Sequence, residues 1–154
     1  MAQQVEGDLI ARDKQFAVVA ARWHERFSET LVDGAIDTLV RHGADPEAVT
    51  VYRCPGSFEI PQVAERVARK TEADAIVCLG VLVRGETPHF DYIAGEATGG
   101  VGSVARREGV PVTYGILTCD TMEQALARSG SKAGNKGQEA ALAAIEMANL
   151  YDEI

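Results

Sequence analysis

Residues Ala75–Val83 read AIVCLGVLV, the most hydrophobic stretch of the chain, with charged or turn residues on either side. Nine residues is strand length, and an apolar run without alternation is what a strand buried on both faces requires. A central parallel strand is therefore predicted here. Upstream, Phe16–Ala21 (FAVVAA) and Val49–Cys54 (VTVYRC) are shorter runs of the same kind, and downstream Val110–Leu117 (VPVTYGIL) supplies a fourth.

Between these runs the apolar period lengthens. Leu31, Val32, Ala35, Ile36, Leu39 and Val40 form a stripe at helical spacing, and Gly43 after His42 reads as its stop. Ile60, Val63, Ala64, Val67 and Ala68 repeat the stripe, with Pro61 in a first turn where amide protons have no intrahelical partner anyway. Phe90–Glu108 is helical by pattern but weakened by Gly95, Gly99, Gly100 and Gly102, small residues that would permit close helix packing. Thr121–Arg128 reads as a short helix, Ser129–Gly137 (SGSKAGNKG) as a polar loop, and Gln138–Tyr151 as an alanine-rich closing helix. Alternating strands and helices imply βαβ units with right-handed crossovers. The expected fold is α/β: a three-layer, doubly wound, flavodoxin-like four-stranded parallel sheet with helices on both faces. Residues 1–15 read as an N-terminal arm and 16–154 as a single domain.

Composition narrows the function. The chain has 154 residues, 46% hydrophobic and 25% charged, enough for one continuous core. Its formal charge is −8, from 15 Lys+Arg against 23 Asp+Glu, which disfavours nucleic acid and anionic membranes as partners. No apolar run approaches the roughly 18 residues that span a bilayer, and Met1–Lys14 lacks the apolar core of a secretion signal. Cys54, Cys78 and Cys119 form no C-x-x-C pair, so neither a disulfide framework nor structural zinc is expected, and a reducing cytoplasm is the expected location.

Ligands of doubly wound folds bind at the carboxyl ends of the strands. Those ends carry Arg22-Trp23-His24, Pro55–Glu59, Arg84–Phe90 and Tyr114–Asp120, richer in functional side chains than the rest of the chain. Several familiar motifs fail. Gly134-Asn135-Lys136-Gly137 has the wrong spacing for a P-loop, and Gly100-Val101-Gly102 lies inside a helical segment rather than after a strand. A phosphoacceptor domain would want acids where Arg22-Trp23 stand, and the three histidines are too scattered for a metal site. His89 is the strongest proton-transfer candidate, since an imidazole exchanges protons near neutrality; capping the next helix is the competing role. Trp23 offers a flat ring for stacking, or simply packing. Ser57 and Glu59 read as binders of a polyol or heterocycle, or as an N-cap and a dipole partner. Arg128, Lys132 and Lys136 around a glycine-rich loop suit a phosphate, or a solvated basic loop. Cys119 is a conceivable nucleophile with no histidine near it in sequence.

Taken together these segments resemble the 6,7-dimethyl-8-ribityllumazine synthase family of riboflavin biosynthesis. The likeness runs from about Phe16 to Leu150. It rests on Ala21-Arg22-Trp23, on Pro55-Gly56-Ser57-Phe58-Glu59-Ile60-Pro61, on the run from Gly80 to Tyr92 (GVLVRGETPHFDY), and on Gly134-Asn135-Lys136-Gly137 before Glu139-Ala140-Ala141. Four segments in register are specific. His24, Phe58 and Tyr114 depart from the commoner family choices of asparagine, tryptophan and phenylalanine.

The resemblance implies a transferase. It would join 5-amino-6-(D-ribitylamino)uracil to 3,4-dihydroxy-2-butanone 4-phosphate without cofactor or metal. Carried over, Trp23 stacks on the pyrimidinedione, Ser57, Phe58 and Glu59 hold the ribityl chain and orient the ring, and Val81, Leu82 and Val83 line the site. Glu86 and Thr87 bind the butanone phosphate with Arg128 and Lys136, His89 shuttles the proton, and Tyr114 closes the pocket from a neighbouring subunit. A homopentamer is implied, with twelve pentamers in an icosahedral shell as its further assembly and riboflavin synthase as a candidate protein partner. The competing readings are a non-catalytic lumazine- or flavin-binding protein and a shell-forming structural protein of the same fold. Both would be expected to lose His89, Arg128 or Lys136, and all three are present.

Overall fold

Four parallel strands form the sheet, in the order β2-β1-β3-β4: β1 (Phe16–Ala21), β2 (Val49–Cys54), β3 (Ala75–Val83) and β4 (Val112–Cys119). The computed structural model describes every residue from Met1 to Ile154. Between and after the strands lie α1 (Glu25–Arg41), α2 (Ile60–Lys70), α3 (His89–Glu108), α4 (Met122–Arg128) and α5 (Lys136–Glu153). The expected α/β, doubly wound architecture is what the chain adopts.

Strand composition follows from burial on both faces. Every residue of β1 is buried, and its side chains alternate between two cores. Val18 and Ala20, with Val77, Leu79 and Val81 of β3, face Leu31, Leu39, Ala144 and Ile145 of α1 and α5. Ala17, Val19, Ile76 and Cys78 face Ile60 and Ala64 of α2 and Ala97 and Val101 of α3. The sheet is thus the middle of three layers. This is why β1 and β3 carry no polar residues: neither of their faces meets water, whereas edge strand β2 leaves Thr50 and Arg53 exposed.

The bounds of β4 and α5 differ from the sequence expectation. β4 starts at Val112 rather than Val110 and runs on to Cys119 rather than Leu117. Gly109, with φ +67°, ends α3, and Pro111 has no amide proton; only its carbonyl joins the ladder, accepting Ile76 N–H at 2.8 Å. At the other end Leu82 and Val83 still need partners, and Thr118 and Cys119 provide them. The expected loop Ser129–Gly137 contains a small antiparallel ladder, β5 (Ser129–Ser131) against β6 (Gly134–Asn135), and α5 begins at Lys136. The Asn135 side chain explains the early start. Its oxygen accepts the amides of Gly137 (2.8 Å) and Gln138 (3.3 Å), while its amide donates to the Thr30 carbonyl at 3.0 Å. Of the α3 glycines, Gly100 alone packs against another element in the way expected, on the Pro61 ring; no atom lies where a side chain at Gly95 or Gly99 would begin.

The chain before β1 carries no regular element. Gly7 lies against the backbone of Glu146 and Leu150, Asn149 donates to the carbonyls of Asp8 and Ile10, and Lys14 pairs with Asp152. Ala11 is fully buried, its amide bonded to the His42 carbonyl at 2.9 Å. No helix is long and apolar enough to cross a membrane.

The α1–α5 contact is close enough to specify glycine at one position. A Cβ at Gly137 would fall on the Leu31 carbonyl oxygen, a backbone atom that cannot turn aside. Gly137→Ala should therefore cost about 2 kcal/mol or more, the scale of overpacking a core. Urea denaturation of the variant and the parent measures this; equal midpoints would mean that the two helices are free to separate.

Candidate functional site

The carboxyl ends of β1, β2 and β3 meet around a cleft of about 250 Å³. Backbone pairing continues past β1: Arg22 N–H bonds to the Cys54 carbonyl at 2.8 Å and Trp23 N–H to that of Pro55 at 3.1 Å. His24 then turns into the left-handed region, φ 61° and ψ 45°, and its carbonyl accepts the amides of Phe27 and Ser28. Adjacent residues of a strand point to opposite faces. The turn at His24 breaks that rule, and both Trp23 and His24 line the cleft. Trp23 is 64% exposed.

After β2, Ser57–Glu59 forms a single 3-10 turn before α2. The turn has Gly56 at its N-cap, and Glu59 Oε2 accepts the Gly56 amide at 3.0 Å, so the Glu59 carboxylate closes the turn. Ser57 makes no capping bond. Its hydroxyl is buried at the cleft wall with no protein partner. A hydrogen bond from a bound polar molecule would remove that penalty, which is typically about 1–3 kcal/mol for an unpaired buried group. Phe58 is half exposed and lines the same cleft.

The loop after β3 is held by Arg84. Its Nε donates to Asp120 at 3.0 Å, its Nη1 reaches Asp91 at 3.1 Å, and its guanidinium lies 4.4 Å from the centre of the Phe90 ring. The two carboxylates raise its already high pKa further, hydrogen bonding to Asp120 being the larger cause. Arg84 thereby ties the loop carrying Glu86 and Thr87 both to the end of β4 and to the first turn of α3. His89 is the first residue of α3, after Pro88, and no side chain caps that helix end, so the capping role does not apply. The imidazole is exposed and lines the cleft beside Thr87 and Phe90.

The sequence-derived candidates fall into three groups. Trp23, Ser57, Phe58, Leu82, Val83, Thr87 and His89 line the cleft. Tyr114, Arg128 and Lys136 do not; they line a second, open depression along edge strand β4 together with Thr118, Cys119 and Glu139. Glu59, Val81 and Glu86 line neither. Val81 is 2% exposed and faces the α1–α5 layer, because alternation along β3 sends its side chain to that side of the sheet. Glu86 points to solvent in the loop. In the depression, Tyr114 shares a 2.8 Å hydrogen bond with Thr98, Arg128 donates to the Gln124 carbonyl at 3.2 Å, and Lys136 sits 3.6 Å from Glu139.

Cleft residues outside the sequence-derived set are His24, Gly85, Phe90 and Ile93. Phe90 and Ile93 share a helical spacing with His89 that marks one face of α3, a signal present in the sequence. The Arg84–Asp120 pair joins residues too far apart in the chain to be inferred from spacing.

The thiols are poor nucleophiles. Burial pushes the Cys54 thiol up to about 11, with Glu59 adding to the rise and Arg22 opposing it. Burial likewise raises Cys119, and the neighbouring Arg128 only partly counters it. Neither would be appreciably ionised near neutrality. No three His, Cys, Asp or Glu side chains are grouped to hold a metal ion. The cleft combines an exposed indole, an unpartnered hydroxyl and an imidazole, which suits a flat polar ligand. Arg128 and Lys136 on the β4 edge suit an anion.

The sequence profile of the family described as 6,7-dimethyl-8-ribityllumazine synthase matches residues 13–152. Among similar proteins bearing that name, one from Chlorobium limicola is 52% identical over 149 residues, covering 97% of this chain and 96% of its own. One from Chloroherpeton thalassium is 50% identical, covering 97% of each chain, and one from Chlorobaculum tepidum is 51% identical, covering 99% of this chain and 98% of its own.

Proposed function

The chain belongs to the 6,7-dimethyl-8-ribityllumazine synthase family, and we propose that it condenses 5-amino-6-(D-ribitylamino)uracil with 3,4-dihydroxy-2-butanone 4-phosphate, releasing phosphate and water. The observation that carries the residue assignment is that Trp23, Ser57 and His89, from three different strand ends, line one cleft. Trp23 stacks on the pyrimidinedione ring. The Ser57 hydroxyl and the turn at Phe58 and Glu59 receive the ribityl chain, while Leu82 and Val83 form the apolar wall. Thr87 and the backbone at Glu86 bind the butanone phosphate.

In the reaction the amine attacks the ketone carbonyl and water leaves to give an imine. Phosphate is then eliminated, and the second amine closes the ring with loss of another water. Both reactants carry the groups they need, so holding them together and moving protons are the tasks left to the protein. His89 takes the proton shuttle. It stands at a helix start on the cleft wall, with no hydrogen bond to the protein to tie up its ring nitrogens.

Arg128, Lys136 and Tyr114 complete the site from a second copy. The cations that suit the phosphate line a depression separate from the cleft. A cleft on one copy meeting the β4 edge of the next is a head-to-tail contact, which closes into a ring when the rotation between copies divides a full turn. The ring is a homopentamer. Twelve rings form an icosahedral shell, and three buried free thiols suit a cytoplasmic setting where riboflavin synthase is a candidate partner.

Two outcomes follow. His89→Ala should lower turnover by about 10²-fold, the lower end of the ~10²–10⁴-fold range of general acid–base groups, because water and the substrate phosphate can carry protons in its place. Absorbance of the lumazine product measures it, and a variant with full turnover across neutral pH would remove His89 from the mechanism. For the shared site, His89→Ala and Arg128→Ala chains unfolded and refolded together should regain activity above that of either variant alone, since some interfaces then pair an intact cleft with an intact Arg128. No recovery in the mixture would place the complete site within one copy.

A further inference from the structure

We infer that Gly56 is a positioning residue for the pyrimidine subsite: its missing side chain is the seat on which the Trp23 ring lies. The inference rests on the stacking role given to Trp23 above. Gly56 has φ −140° and ψ 178°, extended backbone that any residue adopts, so glycine is not needed here for its conformation. It is needed for space. A Cβ at Gly56 would come within 2.5 Å of Trp23 Cε3 and 2.7 Å of Cζ3, and 3.3 Å from Glu59 Oε2.

The ring cannot avoid that atom by carrying its backbone away. Trp23 N–H is bonded to the Pro55 carbonyl at 3.1 Å, and Arg22 N–H to that of Cys54 at 2.8 Å. Its outer side is open, with 64% of the residue exposed. A side chain at position 56 would therefore be accommodated by swinging the indole outward into the cleft, and the fold beneath would survive. Gly56 also donates its amide to Glu59, so the same residue fixes the carboxylate that closes the Ser57–Glu59 turn. A stacking ring held in its bound orientation loses less freedom when the ligand arrives than one that swings.

Trp23 is the only tryptophan, so intrinsic emission reports this ring alone. In Gly56→Ala, the emission maximum and acrylamide quenching should change in the free protein. The KM for the pyrimidine should rise about tenfold, the scale of one overpacking step, with a smaller change in kcat and none in the KM for the butanone phosphate. Trp23→Phe supplies the companion variant, because its narrower ring lacks the benzo edge that meets Gly56. Adding Gly56→Ala to Trp23→Phe should cost little, so the two substitutions should be strongly non-additive. Unchanged emission and quenching, or the same KM increase in both backgrounds, would overturn the inference; the double variant decides the matter even if Gly56→Ala alone folds poorly. Trp23→Ala separates the two readings. If it leaves the pyrimidine KM unchanged, stacking fails and the inference with it; if it raises KM while Gly56→Ala does not, only the role of Gly56 falls.

Discussion

Burial of β3 on both faces and along both edges is the constraint from which the rest of the structure follows. A strand with β1 on one side, β4 on the other and helices above and below has to be apolar throughout, and both its neighbours run parallel to it. Parallel strands cannot be joined by tight turns, so each return crosses a face as a helix. All four carboxyl ends consequently lie at one end of the sheet, and the side chains that leave them are the ones available for chemistry. Trp23, Ser57 and His89 become neighbours through this geometry, although each lies more than thirty residues from the next in sequence.

The three cleft walls are stabilised in different ways. Trp23 rests on backbone pairing that outlasts its strand, and Ser57 on a turn closed by Glu59. The Arg84 loop depends on two ion pairs and an aromatic ring instead. Exposed ion pairs are individually weak, typically about 0.2–1 kcal/mol. The wall that carries Thr87 and leads into His89 is thus the one whose shape responds most readily to ionic strength and to what occupies the cleft.

Much of this was legible in the sequence because burial leaves strong marks. The runs at Phe16 and Ala75 coincide with strands since two-sided burial forbids polar residues along them, whereas edge strand β2 at Val49 is marked by its β-branched residues and leaves Thr50 and Arg53 exposed. What escaped reading depends on single atoms. Pro111 delays β4 by withholding one proton, and Asn135 starts α5 early by supplying one oxygen. Val81 was read with Leu82 and Val83 as lining the site, yet alternation turns its side chain into the core. The division of the candidate residues between a cleft and the β4 edge was not visible either, because sequence order says nothing about which side of an edge strand a later loop returns to. Nor does spacing show that His24 leaves the strand conformation; only the left-handed turn brings it beside Trp23.

The path of the first residues bears on when the molecule can finish folding. From Gly7 to Lys14 they lie against Glu146, Asn149, Leu150 and Asp152, and Ala11 is sealed in the same core as Ala144 and Ile145. During synthesis a chain emerges from its amino end, so these residues leave the ribosome well before their partners. β1 faces a similar delay, since one of its edges waits for β3 to be made. A nascent chain therefore holds β1 half-paired until β3 is made, and residues 7–14 undocked until α5 is made, so a segment that precedes every strand reaches its native contacts after all of them.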